Sequence, residues 1–139
     1  MVLEHDATAL IIGAGDHLQR HKSAVKRFVS ESKTTVFGLN DVALDLEPII
    51  DFRFISHNAK QMNGVISKLA RCKAIIAPLA RFSADELTAL GETQLYDLHM
   101  DVQQGNFDFL DNSCVIPAPL TAAYAFAGVA LLGFKNILL

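Results

Sequence analysis

The sequence predicts an α/β domain of three layers, a mostly parallel sheet with helices on both faces. Short, nearly continuous apolar runs recur along the chain and alternate with stretches of helical period. The first run ends in Gly13-Ala14-Gly15, and the last follows a long, almost wholly apolar helix. Strands buried on both faces read as continuous apolar runs. A strand, helix, strand order brings parallel neighbours together by a right-handed crossover.

The elements follow in order. Thr8-Ala9-Leu10-Ile11-Ile12 is the first strand. A helix is expected from Asp16 to about Ser32, with Leu18, Val25, Phe28 and Val29 on one stripe and Asp16 as its N-cap, since a carboxylate accepts the free amides of a first turn. The second strand spans 34–40. The segment from Asp41 to Asp51, which holds Pro48, reads as a loop with one helical turn, and Phe52 to Ser56 reads as the third strand. A helix from Asn58 to Ala70 carries Met62, Val65, Ile66 and Leu69 at i, i+3, i+4, i+7. Ala74-Ile75-Ile76-Ala77 is the fourth strand, stopped by Pro78. Ser83 and Glu86 form a capping box that opens a short helix through Leu90.

From Leu95 to Val102, Tyr96, Leu98 and Met100 alternate with Asp97, His99 and Asp101, which predicts a single strand with one wet face. Gln103 to Ser113 is polar and reads as a loop. Pro119 to Leu132 is a helix apolar all round, so it should be buried on more than one side, with Gly133 after its end. Lys135 to Leu139 begins another strand, and the sequence stops inside it. Residues 1–139 are therefore expected to be one Rossmann-like domain and the C-terminal part of a longer polypeptide.

Composition narrows the function classes. The chain is 51% hydrophobic and 19% charged, as a folded domain requires. A net charge of -3 and a pI near 5.9 do not recommend nucleic acid or an anionic membrane as a partner. Arg20, Lys22, Lys26 and Arg27 cluster on one predicted helix and read as a solvated face. Cys72 and Cys114 stand in no metal or redox spacing, and the first residues lack the pattern of a secretion signal. No stretch approaches the ~20 apolar residues of a membrane span. A cytoplasmic protein is expected.

Ligands of open α/β sheets bind beyond the carboxyl ends of the strands. Four polar segments are expected there: Gly13-Ala14-Gly15-Asp16 running on to His17, then Asn40-Asp41, then Ser56-His57-Asn58, then Asp111-Asn112-Ser113. Glycines at 13 and 15 permit close backbone approach, and the helix that follows offers unpaired amides to an anion. Leu18 stands where a dinucleotide fingerprint wants a small residue, so NAD is not expected. Asp16 adds a negative charge to the same turn. His17 and His21 are four apart, but no third ligand stands at a suitable spacing, so no metal is expected in this chain. No Gly-x-Ser-x-Gly elbow and no carboxylate pair declares itself, and Cys114 reads as a core residue.

Leu10-Ile11-Ile12-Gly13-Ala14-Gly15-Asp16-His17-Leu18, with Gly38-Leu39-Asn40, resembles the opening of a Rossmann-like family that includes 6-hydroxymethylpterin diphosphokinase-like proteins and some bacterial sialyltransferases. In that family a Gly-x-Gly turn and an Asn after the second strand border a nucleotide site. Asp16 and His17 stand where the nucleotide-binding relatives often carry Pro-Ser. Asp111-Asn112-Ser113, the long apolar helix and Leu132-Gly133-Phe134-Lys135-Asn136-Ile137-Leu138-Leu139 resemble more narrowly the C-terminal domain fused to some aldolases of the 4-hydroxy-2-oxovalerate aldolase and hydroxymethylglutaryl-CoA lyase superfamily. That resemblance implies that the catalytic barrel, with any divalent metal, lies N-terminal to this chain. It also implies that Gly13, Gly15, Asn40, Asn58 and Asn112 border the ligand site.

The expected function is thus an accessory domain that binds a nucleotide, nucleotide-sugar or other anionic metabolite for an aldolase-type (lyase) enzyme. One alternative is a small transferase using the same cleft, with His57 as base and Asn40 or Asn112 orienting the substrate. Another is a structural domain that forms a homodimer through its apolar C-terminal helix.

Overall fold

A computed structural model describes residues 7–56 and 66–139. The predicted helix from Asn58 falls largely outside these residues, and so do His57 and Asn58. Six strands, β1 (Thr8–Ile12), β2 (Thr34–Leu39), β3 (Phe52–Phe54), β4 (Ala74–Ala77), β5 (Gln94–Asp97) and β9 (Asn136–Leu138), form one sheet in the order β5-β4-β3-β2-β1-β9. Every pairing in it is parallel. This is the predicted three-layer, Rossmann-like α/β architecture.

Alternation along each strand divides the core in two. Ile12, Val36 and Ile50 pack with Leu18, Val25 and Val29 of α1 (Asp16–Arg20) and α2 (Lys22–Glu31). Further along the same face, Ile55 and Ile75 pack with Leu69 of α3 (Ile66–Leu69), and Leu87 of α4 (Ala84–Ala89) closes on them. The intervening residues Ala9, Ile11, Phe37, Phe54 and Ile76 face the other way, onto α5 (Thr121–Leu131). Successive strands from β1 to β5 step one way across the sheet, so their connections share one face. The last strand lies on the far side of β1, and α5, which leads to it, covers the opposite face.

Four expectations are corrected. The helix after the first strand is not continuous: it breaks at His21 (φ -119°, ψ 18°) into α1 and α2. Its N-cap is Gly15, and Asp16 is the first helical residue, where its charge favours the helix through the local dipole and not through a cap hydrogen bond. The predicted strand 95–102 divides at Leu98 into β5 and β6 (His99–Val102), which belong to different sheets. The predicted loop 103–113 contains β7 (Asp108–Leu110), and Ser113 opens β8 (Ser113–Ile116); with β6 these make a small sheet ordered β6-β8-β7. Among the described residues no helix is long and apolar enough to cross a membrane.

Both thiols are buried, Cys72 beneath α3 and α4 and Cys114 against α5. Burial, with the Glu47 carboxylate nearby, pushes the Cys72 thiol up to about 12. Burial alone pushes Cys114 up to about 11, and it raises the Tyr124 phenol as well. The folded chain therefore keeps protons that the unfolded chain, with thiols titrating near 9, has already lost. Stability is unaffected by these groups below that pH and falls as pH rises from 9 towards 11. Urea midpoints should decline over this range, and neither thiol should react with an aromatic disulfide reagent at neutral pH until the chain unfolds. A midpoint that rises over this range contradicts the assignment.

Candidate functional site

The carboxyl ends of β1, β2 and β3 lie side by side, as their register requires. At β1 the chain leaves the sheet through Gly13-Ala14-Gly15 and enters α1. A cleft of about 430 Å³ opens there, lined by the turn together with His17, Leu18, His21, Val25 and Leu139. Asp16 is exposed beside it but is not part of its lining. Neither glycine is demanded by the fold. A Cβ at Gly15 would meet no heavy atom within 4 Å, and one at Gly13 would make only ordinary contact, 3.9 Å from Leu39. Gly15 has φ -98°, and among the described residues the positive-φ glycines are Gly91, Gly105 and Gly133. Bare backbone stands at the mouth of the cleft for neither steric nor dihedral reasons.

At the end of β2, Asn40 turns the chain with φ 42°, a left-handed conformation that Asn tolerates better than most residues. Its side chain ties three elements together. The Asn40 amide donates to Thr121 Oγ1 at 2.7 Å, and its oxygen accepts the Ser56 amide hydrogen at 3.2 Å. The Ser56 and Thr121 hydroxyls bond to one another. Thr121 is the first residue of α5, so the start of that helix is fastened to the carboxyl edge of the sheet. Arg81, exposed beside this network, reaches the carbonyls of Ser56 (3.3 Å) and Met100 (3.4 Å) and places a cation at the same edge.

The Asn40 turn is held from below by Arg53, whose side chain is fully buried. Its guanidinium donates to the carbonyls of Asn40 (2.9 Å) and Val42 (2.7 Å) and pairs with Glu47. Gly38 makes room for it, because a Cβ there would come within 3.0 Å of the guanidinium.

The structure thus brings Gly13, Ala14, Gly15, His17 and Asn40 to one edge of the sheet. Asp111 and Asn112 are placed elsewhere: they line a second cavity that shares no residue with the first. Ser113, in β8, lines neither cavity. Thr121, Arg81 and Arg53 were not singled out from the sequence, because their roles depend on contacts across the chain: Arg53 meets Asn40 over 13 positions, Arg81 meets Ser56 over 25 and Thr121 meets Asn40 over 81. Among the described residues no group of three or more His, Cys, Asp or Glu is placed to hold a metal. No histidine or carboxylate among the described residues bonds to the Ser56 or Thr121 hydroxyl. No family model, curated protein or solved structure matches the chain.

Proposed function

We propose that this domain binds a small anionic metabolite of nucleotide or nucleotide-sugar type at the carboxyl edge of its sheet. The ligand would lie between the Gly13–Gly15 turn and the Asn40–Ser56–Thr121 network. The observation that carries the reading is the pair of glycines that neither packing nor backbone geometry requires, set where open α/β sheets bind ligands. Arg81 supplies the positive charge, and the fixed amide and hydroxyls of Asn40, Ser56 and Thr121 supply directional contacts. The resemblance of its last segment, from Asp111 onwards, adds that the domain serves an aldolase-type catalytic domain in the same polypeptide. The genomic sequence upstream of Met1 tests that part: an encoded barrel supports it, and an unrelated or absent upstream domain overturns it.

Binding itself is tested by differential scanning fluorimetry against nucleoside mono- and diphosphates, nucleotide-sugars and sugar phosphates. A ligand at 100 times its Kd stabilises the folded state by about 2.7 kcal/mol. At least one member should raise Tm. Gly15→Glu, which has space for its side chain, should leave the ligand-free Tm within a degree or two and abolish the shift. No shift from any member with an intact fold, or an equal shift in Gly15→Glu, contradicts the reading.

A further inference from the structure

The second cavity lies on the α5 face of the sheet and measures about 290 Å³. It exists because α5 packs over β1, β2 and β3, while the small sheet packs on α5 and leaves the corner above β4 and β5 open. Its base is Phe54, Ile76 and Leu98, and Leu131 and Leu132 at the end of α5 form one wall. Gly128 presents no side chain there. Phe52 and the half-exposed Tyr96 stand together, with ring centroids 6.0 Å apart and planes inclined by 59°. This volume sits just below the ~300–1,000 Å³ of pockets that hold drug-sized ligands, which suits one ring system with a short substituent.

The charged groups among the polar lining of this cavity, Asp97 and Asp111, are both negative, and Asn112 lines it with them. Asp97 is anchored by accepting the Leu79 amide hydrogen at 3.0 Å. Asp111 is held at φ 55° in the turn before β8, and neither its side chain nor that of Asn112 hydrogen-bonds within the described residues. The surroundings reinforce the sign. Between Arg81 and Lys135 the chain has no lysine or arginine, and Asp101 and Asp108 lie on the same small sheet. Among the residues that line the cavity, an anion meets two carboxylates and no cation. A cation meets carboxylates and the electron-rich faces of Tyr96 and Phe52.

We infer that this cavity is a second binding site, separate from the Gly13 cleft, for a small aromatic molecule carrying a protonated amine. The ring occupies the apolar interior beside Phe52 and Tyr96, and the ammonium lies at the mouth between Asp97 and Asp111. The inference does not depend on the ligand proposed for the carboxyl edge.

Three isosteric probes test it in two-dimensional amide NMR titrations: phenethylamine, 3-phenylpropionate and 2-phenylethanol. Phenethylamine should shift the amides of Leu98, Asn112, Gly128 and Leu131 and bind about tenfold or more tightly than 3-phenylpropionate. Asp97→Asn/Asp111→Asn should remove that preference while 2-phenylethanol binds as before, which shows the cavity intact. Leu132→Trp should fill the cavity and weaken all three probes. Tighter or equal binding of the carboxylate, shifts confined to the Gly13–Gly15 turn, or no shifts with any probe would overturn the inference.

Discussion

Replacing Arg53 with Met should cost about 3–5 kcal/mol of stability, the range for breaking one side of a buried ion pair. Against the roughly 5–15 kcal/mol by which a domain is stable, such a loss leaves the fold marginal. The guanidinium is fully buried, and Met cannot replace any of its donors. Without it the Glu47 carboxylate loses its cation, and the carbonyls of Asn40 and Val42 lose their hydrogen bonds. The damage falls next to the candidate site. Asn40 and Ala43 are both left-handed, at φ 42° and 52°, and Arg53 holds the carbonyls between them.

Two companion variants separate charge from shape. Glu47→Gln keeps an acceptor for the guanidinium and should cost about 1–2 kcal/mol. The pair is also imperfectly compensated, since Arg53 Nε and Glu47 Oε1 lack hydrogen-bond partners among the described residues. Arg53→Met combined with Glu47→Leu should therefore recover part of the single-mutant loss, as apolar replacements of buried pairs often do. Urea unfolding of the four proteins reads all three quantities. An Arg53→Met midpoint equal to the parent's would mean that the clamp does not hold the turn.

The second large effect lies at the contact between Phe54 and α5. Phe54 is fully buried, its ring set edge-on to Tyr124 at 5.4 Å and tilted against Phe37 at 5.6 Å. Its edge rests on the backbone of Gly128, where a Cβ would come within 2.5 Å of the ring. Phe54→Ala should cost about 3–5 kcal/mol through lost burial and the space left behind. Gly128→Ala gains about 1 kcal/mol of helix propensity. It also forces the ring or the helix to move, at about 1–3 kcal/mol for overpacking. Combined in one chain, the two changes should cost clearly less than their sum, because the added methyl enters space that the ring has vacated. Strict additivity would show that α5 does not seat on Phe54 as described.

Much of the fold could be read from the chain because the main sheet is buried on both faces. Continuous apolar runs at β1 and β4, and the all-apolar α5, have few other ways to hide their surface. What could not be read is where a chain changes partners. Tyr96, Leu98 and Met100 keep one alternation through 95–102, and nothing local marks Leu98 as the place where the chain leaves one sheet for another. The strand at Asp108–Leu110 is exposed at every position, so its Phe109 and Leu110 do not mark a buried face, and the polar residues around it read as a loop. The site divides in the same way. Gly13, Gly15 and Asn40 end predicted strands and were legible. Thr121 was hidden inside an apolar helix, and its role comes from an Asn40 contact across 81 positions. Arg53 sits between two phenylalanines in a predicted strand, and only the opening at Gly38 shows why it can be buried.

The central claim is that ligands are taken at the carboxyl edge of the sheet, at the turn after β1 and the network after β2. Amide NMR spectra recorded with ADP, UDP and UDP-glucose in turn test it most directly. At least one of the three should perturb Gly13, Ala14 and Gly15 together with Asn40, Ser56 and Thr121, and leave Asn112 and Gly128 unmoved. Saturating concentrations of all three that leave the first group unmoved, or that perturb only the second, would contradict it.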